Sequence, residues 1–137
     1  MIRSKRILLA EDDEDDKMIF SEILNELRAH NNFHFDAVDN GLQIIQLLNN
    51  GEPLPDLVVL DQNMPQMSGK ETLEAIRGDA RLHHIPVVIY STYNDSRLSN
   101  ECFSIGATQI ITKPDSFEGF RQMIVTLVDK YLHKAES

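Results

Sequence analysis

Six acids stand together near the N-terminus: Glu11, Asp12, Asp13, Glu14, Asp15 and Asp16. Another acid, Asp61, follows the apolar run Leu57-Val58-Val59-Leu60. The hydroxyls of Ser91 and Thr92 follow Val87-Val88-Ile89-Tyr90, and Lys113 follows Gln109-Ile110-Ile111-Thr112. Clustered carboxylates repel one another unless a cation sits between them, and hard oxygen ligands with room for water suit Mg2+. A bound Mg2+ would also screen the acids so that a phosphoryl group could approach. Asp61 then has the chemistry of a nucleophile, since Asp carboxylates form acyl phosphates. Phosphoryl transfer asks mostly for positioning and for charge neutralisation on the equatorial oxygens. Mg2+, the Lys113 ammonium and the Ser91 hydroxyl could supply both.

Such residues must be brought together by the elements that carry them. Five β-like runs are legible: Arg6–Ala10, Phe33–Val38, Leu57–Leu60, Val87–Ser91 and Gln109–Thr112. The second alternates (Phe33, Phe35, Ala37) and reads as an edge strand, while the third and fourth are continuously apolar, as in a parallel sheet buried on both faces. Helical stripes separate them: Ile19, Phe20, Ile23, Leu24 and Leu27; Leu42, Ile45 and Leu48; Leu73 and Ile76; Leu98, Cys102 and Ile105; and Phe117 through Tyr131. Gly51, Pro53, Pro55 and Pro86 break the chain before strands, Gly106 ends a helix, and Ser116 can cap the last one. Strand and helix alternating five times predict an α/β fold with a parallel sheet covered on both faces. In such sheets ligands bind beyond the carboxyl ends of the strands, where Glu11, Asp12, Asp61, Ser91, Thr92 and Lys113 all fall.

Length and charge narrow the function classes. The 137 residues, 42% hydrophobic, suit one domain with a sizeable core, spanning 1–137 with only Met1–Lys5 and Lys134–Ser137 as loose ends and no output domain. No apolar run approaches the roughly 20 residues of a membrane span, and the stretch Ile7 to Ala10 reads as too short for a signal-peptide apolar region. A single cysteine, Cys102, excludes an internal disulfide framework and suits a cytoplasmic location. The net charge of −9, from 13 Lys+Arg against 22 Asp+Glu, argues against a nucleic-acid binder. Glu14, Asp15 and Asp16 read as a solvated face at a helix N-terminus, where acids favour the dipole. His30, His34, His83, His84 and His133 lack zinc spacing and read as surface or loop residues. Cys102 reads as a small core residue, Gly69 as support for a tight turn, and Met64 and Met67 as loop packing or a soft contact surface.

Four separated blocks resemble those of two-component response-regulator receiver domains of the stand-alone type. They are Ile7-Leu8-Leu9-Ala10-Glu11-Asp12-Asp13; Pro55 through Pro65 with Met67-Ser68-Gly69; Ile85 through Ser91; and Gly106-Ala107 with Thr112-Lys113-Pro114. The resemblance covers about residues 5–133. It implies a flavodoxin-like (βα)5 fold, with a five-stranded parallel sheet in the order 2-1-3-4-5 and helices on both faces. It further implies that Asp61 takes a phosphoryl group from a partner histidine kinase with Mg2+. Asp12 would hold the metal with Glu11 as the outer acid, and the Asn63 backbone carbonyl would complete its shell. Ser91 would turn toward the phosphoryl group, Lys113 would pair with it, and Thr92 would lie beside it with a backbone N–H. The Lys113–Pro114 peptide would be cis. The added charge would reshape the face around the fourth helix, fifth strand and fifth helix. A histidine phosphotransfer protein, a downstream target protein or a second copy of the chain would be further partners.

Two positions depart from the family pattern. Ile110 stands where many receivers place an aromatic three residues before the lysine, so half of the usual switch is missing. Tyr93, two residues after Ser91, lies where the family tunes dephosphorylation, and its ring could limit access of water. The Asn63-Met64-Pro65 segment, Glu71, Ile76-Arg77 and Ser116-Phe117-Glu118 look like those of a bacterial group that includes partners of phytochrome-type kinases. Two other classes fit these residues less well. An aspartate-nucleophile phosphatase would need a second acid two residues after Asp61, where Asn63 stands. A flavin carrier would need a phosphate-cradling loop after the first strand, where Glu11-Asp12-Asp13 repel phosphate.

Overall fold

The runs Leu57–Asp61 and Val87–Ser91 have no polar face, and as strands β3 and β4 they are buried at every position. The structure is a computed structural model that describes residues 5–29, 32–50, 53–93 and 95–132. Around the central pair stand β1 (Lys5–Ala10), β2 (Phe33–Val38) and β5 (Gln109–Thr112). All pairings are parallel, in the order β2-β1-β3-β4-β5, as the resemblance implied. The alternating run Phe33–Val38 is indeed at an edge. Register sets Ala10 against Leu60, Asp61 against Tyr90 and Ser91 against Thr112, so the strand ends that carry the chemistry finish side by side.

Five helices cross over the sheet: α1 (Glu14–Arg28), α2 (Gly41–Leu48), α3 (Gly69–Arg77), α4 (Ser96–Ile105) and α5 (Phe117–Leu127), the last continuing into a π-helical turn, Val128–Leu132. Each starts on a side chain that accepts from the first turn: Asp13, Asn40, Ser68, Asp95 and Ser116. At Ser68 the cap is reciprocal, with Glu71 accepting from the Ser68 N–H at 2.9 Å. Gly106 closes α4 at φ 124°, a conformation that L side chains rarely adopt.

Strand alternation sends Leu9, Val59, Val88 and Tyr90 toward α1 and α5, and Leu8, Val58, Leu60 and Ile89 toward α2, α3 and α4. Cys102 belongs to the second core, and burial pushes its thiol pKa up, as a small core residue requires. The stripe expected on α2 is displaced. Gly41, Ile44 and Leu48 are buried, whereas Leu42 is 44% exposed. The cause is tertiary: a Cβ on Gly41 would lie 1.8 Å from the Thr72 hydroxyl oxygen, so this face is the one that presses on α3. Phe117, the first residue of α5, is also exposed, and the buried stripe begins at Phe120. Lys5, expected to be loose, pairs with Phe33; residues 1–4, 51 and 133–137 lie outside the described residues, as does His30.

Candidate functional site

The site begins where the strands end. Glu11 follows β1 directly, and its N–H donates to the Val38 carbonyl at 3.0 Å, which keeps it in line with the sheet. Its side chain is fully buried, while the neighbouring Asp12 is exposed. Asp61 closes β3 and is 4% exposed. Lys113 follows β5, and its N–H donates to the Ser91 carbonyl at 2.9 Å, tying the two strand ends together. One carboxylate oxygen each from Glu11, Asp12 and Asp61 lie within 4.8 Å of one another. The Lys113 ammonium reaches Asp16 Oδ2 at 2.9 Å, Glu11 Oε1 at 3.0 Å and Asp61 Oδ2 at 3.7 Å.

The loop after β3 is shaped by close approach rather than by a left-handed glycine. Gly69 donates to the Gln62 carbonyl at 3.1 Å, and a Cβ there would stand 2.8 Å from the Asp61 carbonyl oxygen. The residue at positive φ in this loop is Gln66, at 69°. Asn63 is exposed, and its N–H lies 3.4 Å from Asp61 Oδ1. Met64 packs against the core, so loop packing accounts for it.

Too much negative charge is gathered here for one ammonium. Burial above all, and then the charge of Glu11, push the Asp61 carboxyl up to about 7, against the opposing pull of Lys113 and the Asn63 N–H. Burial disfavours the Lys113 charge, but its hydrogen bonds to Asp16 and Glu11 and the charges of Glu11 and Asp61 outweigh it and hold the ammonium above its ordinary pKa. An all-oxygen donor set, two of its carboxylates buried and Asp12 open to solvent, fits a hard divalent cation. Among the described residues no comparable cluster includes a histidine or Cys102; His34, His83 and His84 are exposed.

Two members of the site escaped the reading of the sequence. Asp16, expected on a solvated face, pairs with Lys113 instead. The signal was there: Asp16 precedes Phe20 by four residues and Ile23 by seven, which places it on the buried stripe of α1. Glu14 and Asp15 do face solvent. Tyr90, fully buried, donates its hydroxyl to Glu11 Oε1. Its ring meets Phe20 and Phe120 edge-on at 6.1 and 6.5 Å and lies 5.0 Å from the Lys113 ammonium. Burial, and then the charge and hydrogen bond of Glu11, hold its phenol protonated well above the usual range. The period of two along β4 puts Tyr90 on the face of Val88, toward α1 and α5.

Ser91 is buried at the end of β4, and its hydroxyl donates to the Tyr93 carbonyl at 3.1 Å. Thr92 and Tyr93 are exposed, Tyr93 at 79%. Ile110 is half-buried against the α2, α3 and α4 core. The Lys113–Pro114 bond, expected to be cis, is trans, the lower-energy isomer of an X–Pro peptide; no cis peptide occurs among the described residues.

The arrangement has known counterparts. The family model of the response regulator receiver domain matches residues 7–125. The two-component response regulator ORR5 of rice (Oryza sativa subsp. japonica) is 35% identical over 108 residues, covering 79% of this chain and 77% of that protein. The phosphorylated cyanobacterial phytochrome response regulator RcpA superposes with a TM-score of 0.88 at 26% identity, over 98% of each chain. The Mn(2+)-bound form of response regulator Rcp1 shares the fold, with a TM-score of 0.86 at 24% identity over 96% of this chain and 97% of its own. With its sheet order, its strand-end acids and these relatives in agreement, the chain belongs to the response regulator receiver domain family, the phospho-accepting switches of two-component systems.

Proposed function

We propose that Asp61 is the phosphoryl acceptor and that a partner histidine kinase is the donor. The observation that carries this reading is the setting of Asp61. It is a nearly buried carboxylate at a strand tip, grouped with two further acids and 3.7 Å from the Lys113 ammonium. Asp61 Oδ attacks the phosphorus of a phosphohistidine; the P–N bond breaks as the P–O bond forms, and the imidazole leaves. Asp12, Asp61 and the Asn63 backbone carbonyl would hold Mg2+, with Glu11 as the outer acid. When bound, Mg2+ offsets the acids and the charge of the phosphoryl oxygens. Lys113 moves onto a phosphoryl oxygen, and Ser91 exchanges the Tyr93 carbonyl for another. The exposed Thr92 offers a backbone N–H beside them.

The chain catalyses this step and the slow hydrolysis of its acyl phosphate, which frees Asp61 and inorganic phosphate, without turning over a metabolite. The new charge, about −1.5 to −2, reshapes the face of α4, β5 and α5 and so changes partner binding. We place this in the cytoplasm, with the receiver core acting as one unit. The next partner is a phosphotransfer protein, a downstream target protein or a second copy of the chain. No described helix is long and apolar enough to cross a membrane. Incubation with phosphoramidate and Mg2+, followed by intact mass, tests the reading: one phosphoryl group on the wild type and none on Asp61→Asn. Labelling that persists in Asp61→Asn overturns it.

A further inference from the structure

We infer that Asp16 is a positioning residue for phosphoryl transfer: it holds Lys113 at rest and opposes the movement of the ammonium onto an incoming phosphoryl group. The inference rests on Asp61 being the acceptor. An ammonium has three N–H donors. Asp16 and Glu11, at 2.9 and 3.0 Å, are within hydrogen-bonding distance of it, while Asp61, at 3.7 Å, is beyond that distance. Lys113 is thus poised beside the acceptor without being committed to it.

The two holding carboxylates are not equivalent. Glu11 is fully buried, with Oε1 also accepting from the Tyr90 hydroxyl and Oε2 from the Asp13 N–H at 3.0 Å. No water can replace the lysine there, so Glu11 is a fixed partner. Asp16 lies in the first turn of α1 with 21% of its side chain exposed, and water can take the place of the ammonium. Asp16 is therefore the partner that Lys113 can exchange. In transfer from an acyl phosphate donor, the P–O bond to the donor breaks as the P–O bond to Asp61 forms. The donor leaves as a carboxylate, and no proton moves. The charge arriving at Asp61 draws Lys113 inward, and the Asp16 contact opposes that movement, acting as a brake on the rate.

Asp15 supplies the control, because it sits in the same turn, carries the same charge and faces solvent. Acyl-phosphate formation from acetyl phosphate is followed by intact mass in wild type, Asp16→Asn, Asp15→Asn and Asp16→Glu, each at a Mg2+ concentration shown by titration to saturate it. Asp16→Asn should react about three- to tenfold faster than wild type, beyond the change in Asp15→Asn, which reports only the lost charge. Asp16→Glu, which restores a carboxylate, should return the rate toward that of wild type. A rate for Asp16→Asn no higher than that of Asp15→Asn, or an Asp16→Glu variant as fast as Asp16→Asn, overturns the inference. A role confined to stability would shift the thermal melt of Asp16→Asn and leave the rate of the folded protein unmoved, which also overturns it. If the wild type itself takes no phosphoryl group, the acceptor assignment fails; a labelled wild type with unchanged variants removes only the role of Asp16.

Discussion

The Tyr90 hydroxyl donates to Glu11 Oε1 from inside the core that α1 and α5 lay over the sheet. A carboxylate with no exposed surface needs such donors, because water cannot reach it. Tyr90 thereby joins a packed aromatic cluster to the acid that stands beside Asp61 and Lys113.

Replacing Tyr90 with Phe keeps the ring and its contacts with Phe20 and Phe120 while removing one donor from a buried charge. The expected cost is about 1–3 kcal/mol of stability. Urea unfolding of the metal-free protein measures it as a lower midpoint with the slope preserved. A midpoint equal to that of wild type would mean that the hydrogen bond contributes nothing.

Asp61 predicts an unusual pH dependence for the metal-free protein. Its carboxyl is pushed up to about 7 in the folded chain, against an ordinary value of 3.8. Below the unfolded value both states hold the proton, and the group contributes no penalty. As pH rises from there through the folded value, the unfolded chain ionises first, and stability from this site is lost. Asp61→Asn removes the penalty, so it should stabilise the apo protein by on the order of 2–4 kcal/mol at pH 8 and by little near pH 4. Thermal melts in chelator across that range test the sign; a variant less stable than wild type at pH 8 contradicts it.

Much of this architecture could be read from residue patterns, for identifiable reasons. Leu57 to Leu60 and Val87 to Ile89 lack a polar face, and the structure buries both strands fully, adding Asp61 to the first. Glu11, Asp12, Asp61 and Lys113 were legible because strand ends in a parallel sheet must meet. The α2 stripe was misplaced because Gly41 presses on Thr72, a contact between segments that local spacing does not encode. Asp16 was missed because it belongs at once to an acidic run and to the buried stripe of its helix, and the run was the louder signal. Residue patterns assign Tyr90 no part in the site, since a hydroxyl aimed at Glu11 depends on the register between β1, β3 and β4.

Asp12 is the one exposed acid of the three-carboxylate group. Asp12→Ala should weaken Mg2+ binding about tenfold or more while leaving the fold intact, measured by calorimetric titration. In wild type, Mg2+ at about 100 times its dissociation constant should add about 2.7 kcal/mol of stability, a gain that the variant shows only at higher concentration. Equal affinities for Mg2+ in the two proteins would remove Asp12 from the metal shell.

The acceptor can be mapped chemically. Borohydride reduces an aspartyl phosphate to homoserine, so peptide mass spectrometry after phosphorylation with Mg2+ and an acyl phosphate identifies the residue that carried the group. The account predicts homoserine at position 61 and at no other aspartate, whereas reduction at Asp12 or Asp16, or a phosphoryl group retained on a histidine, would contradict it.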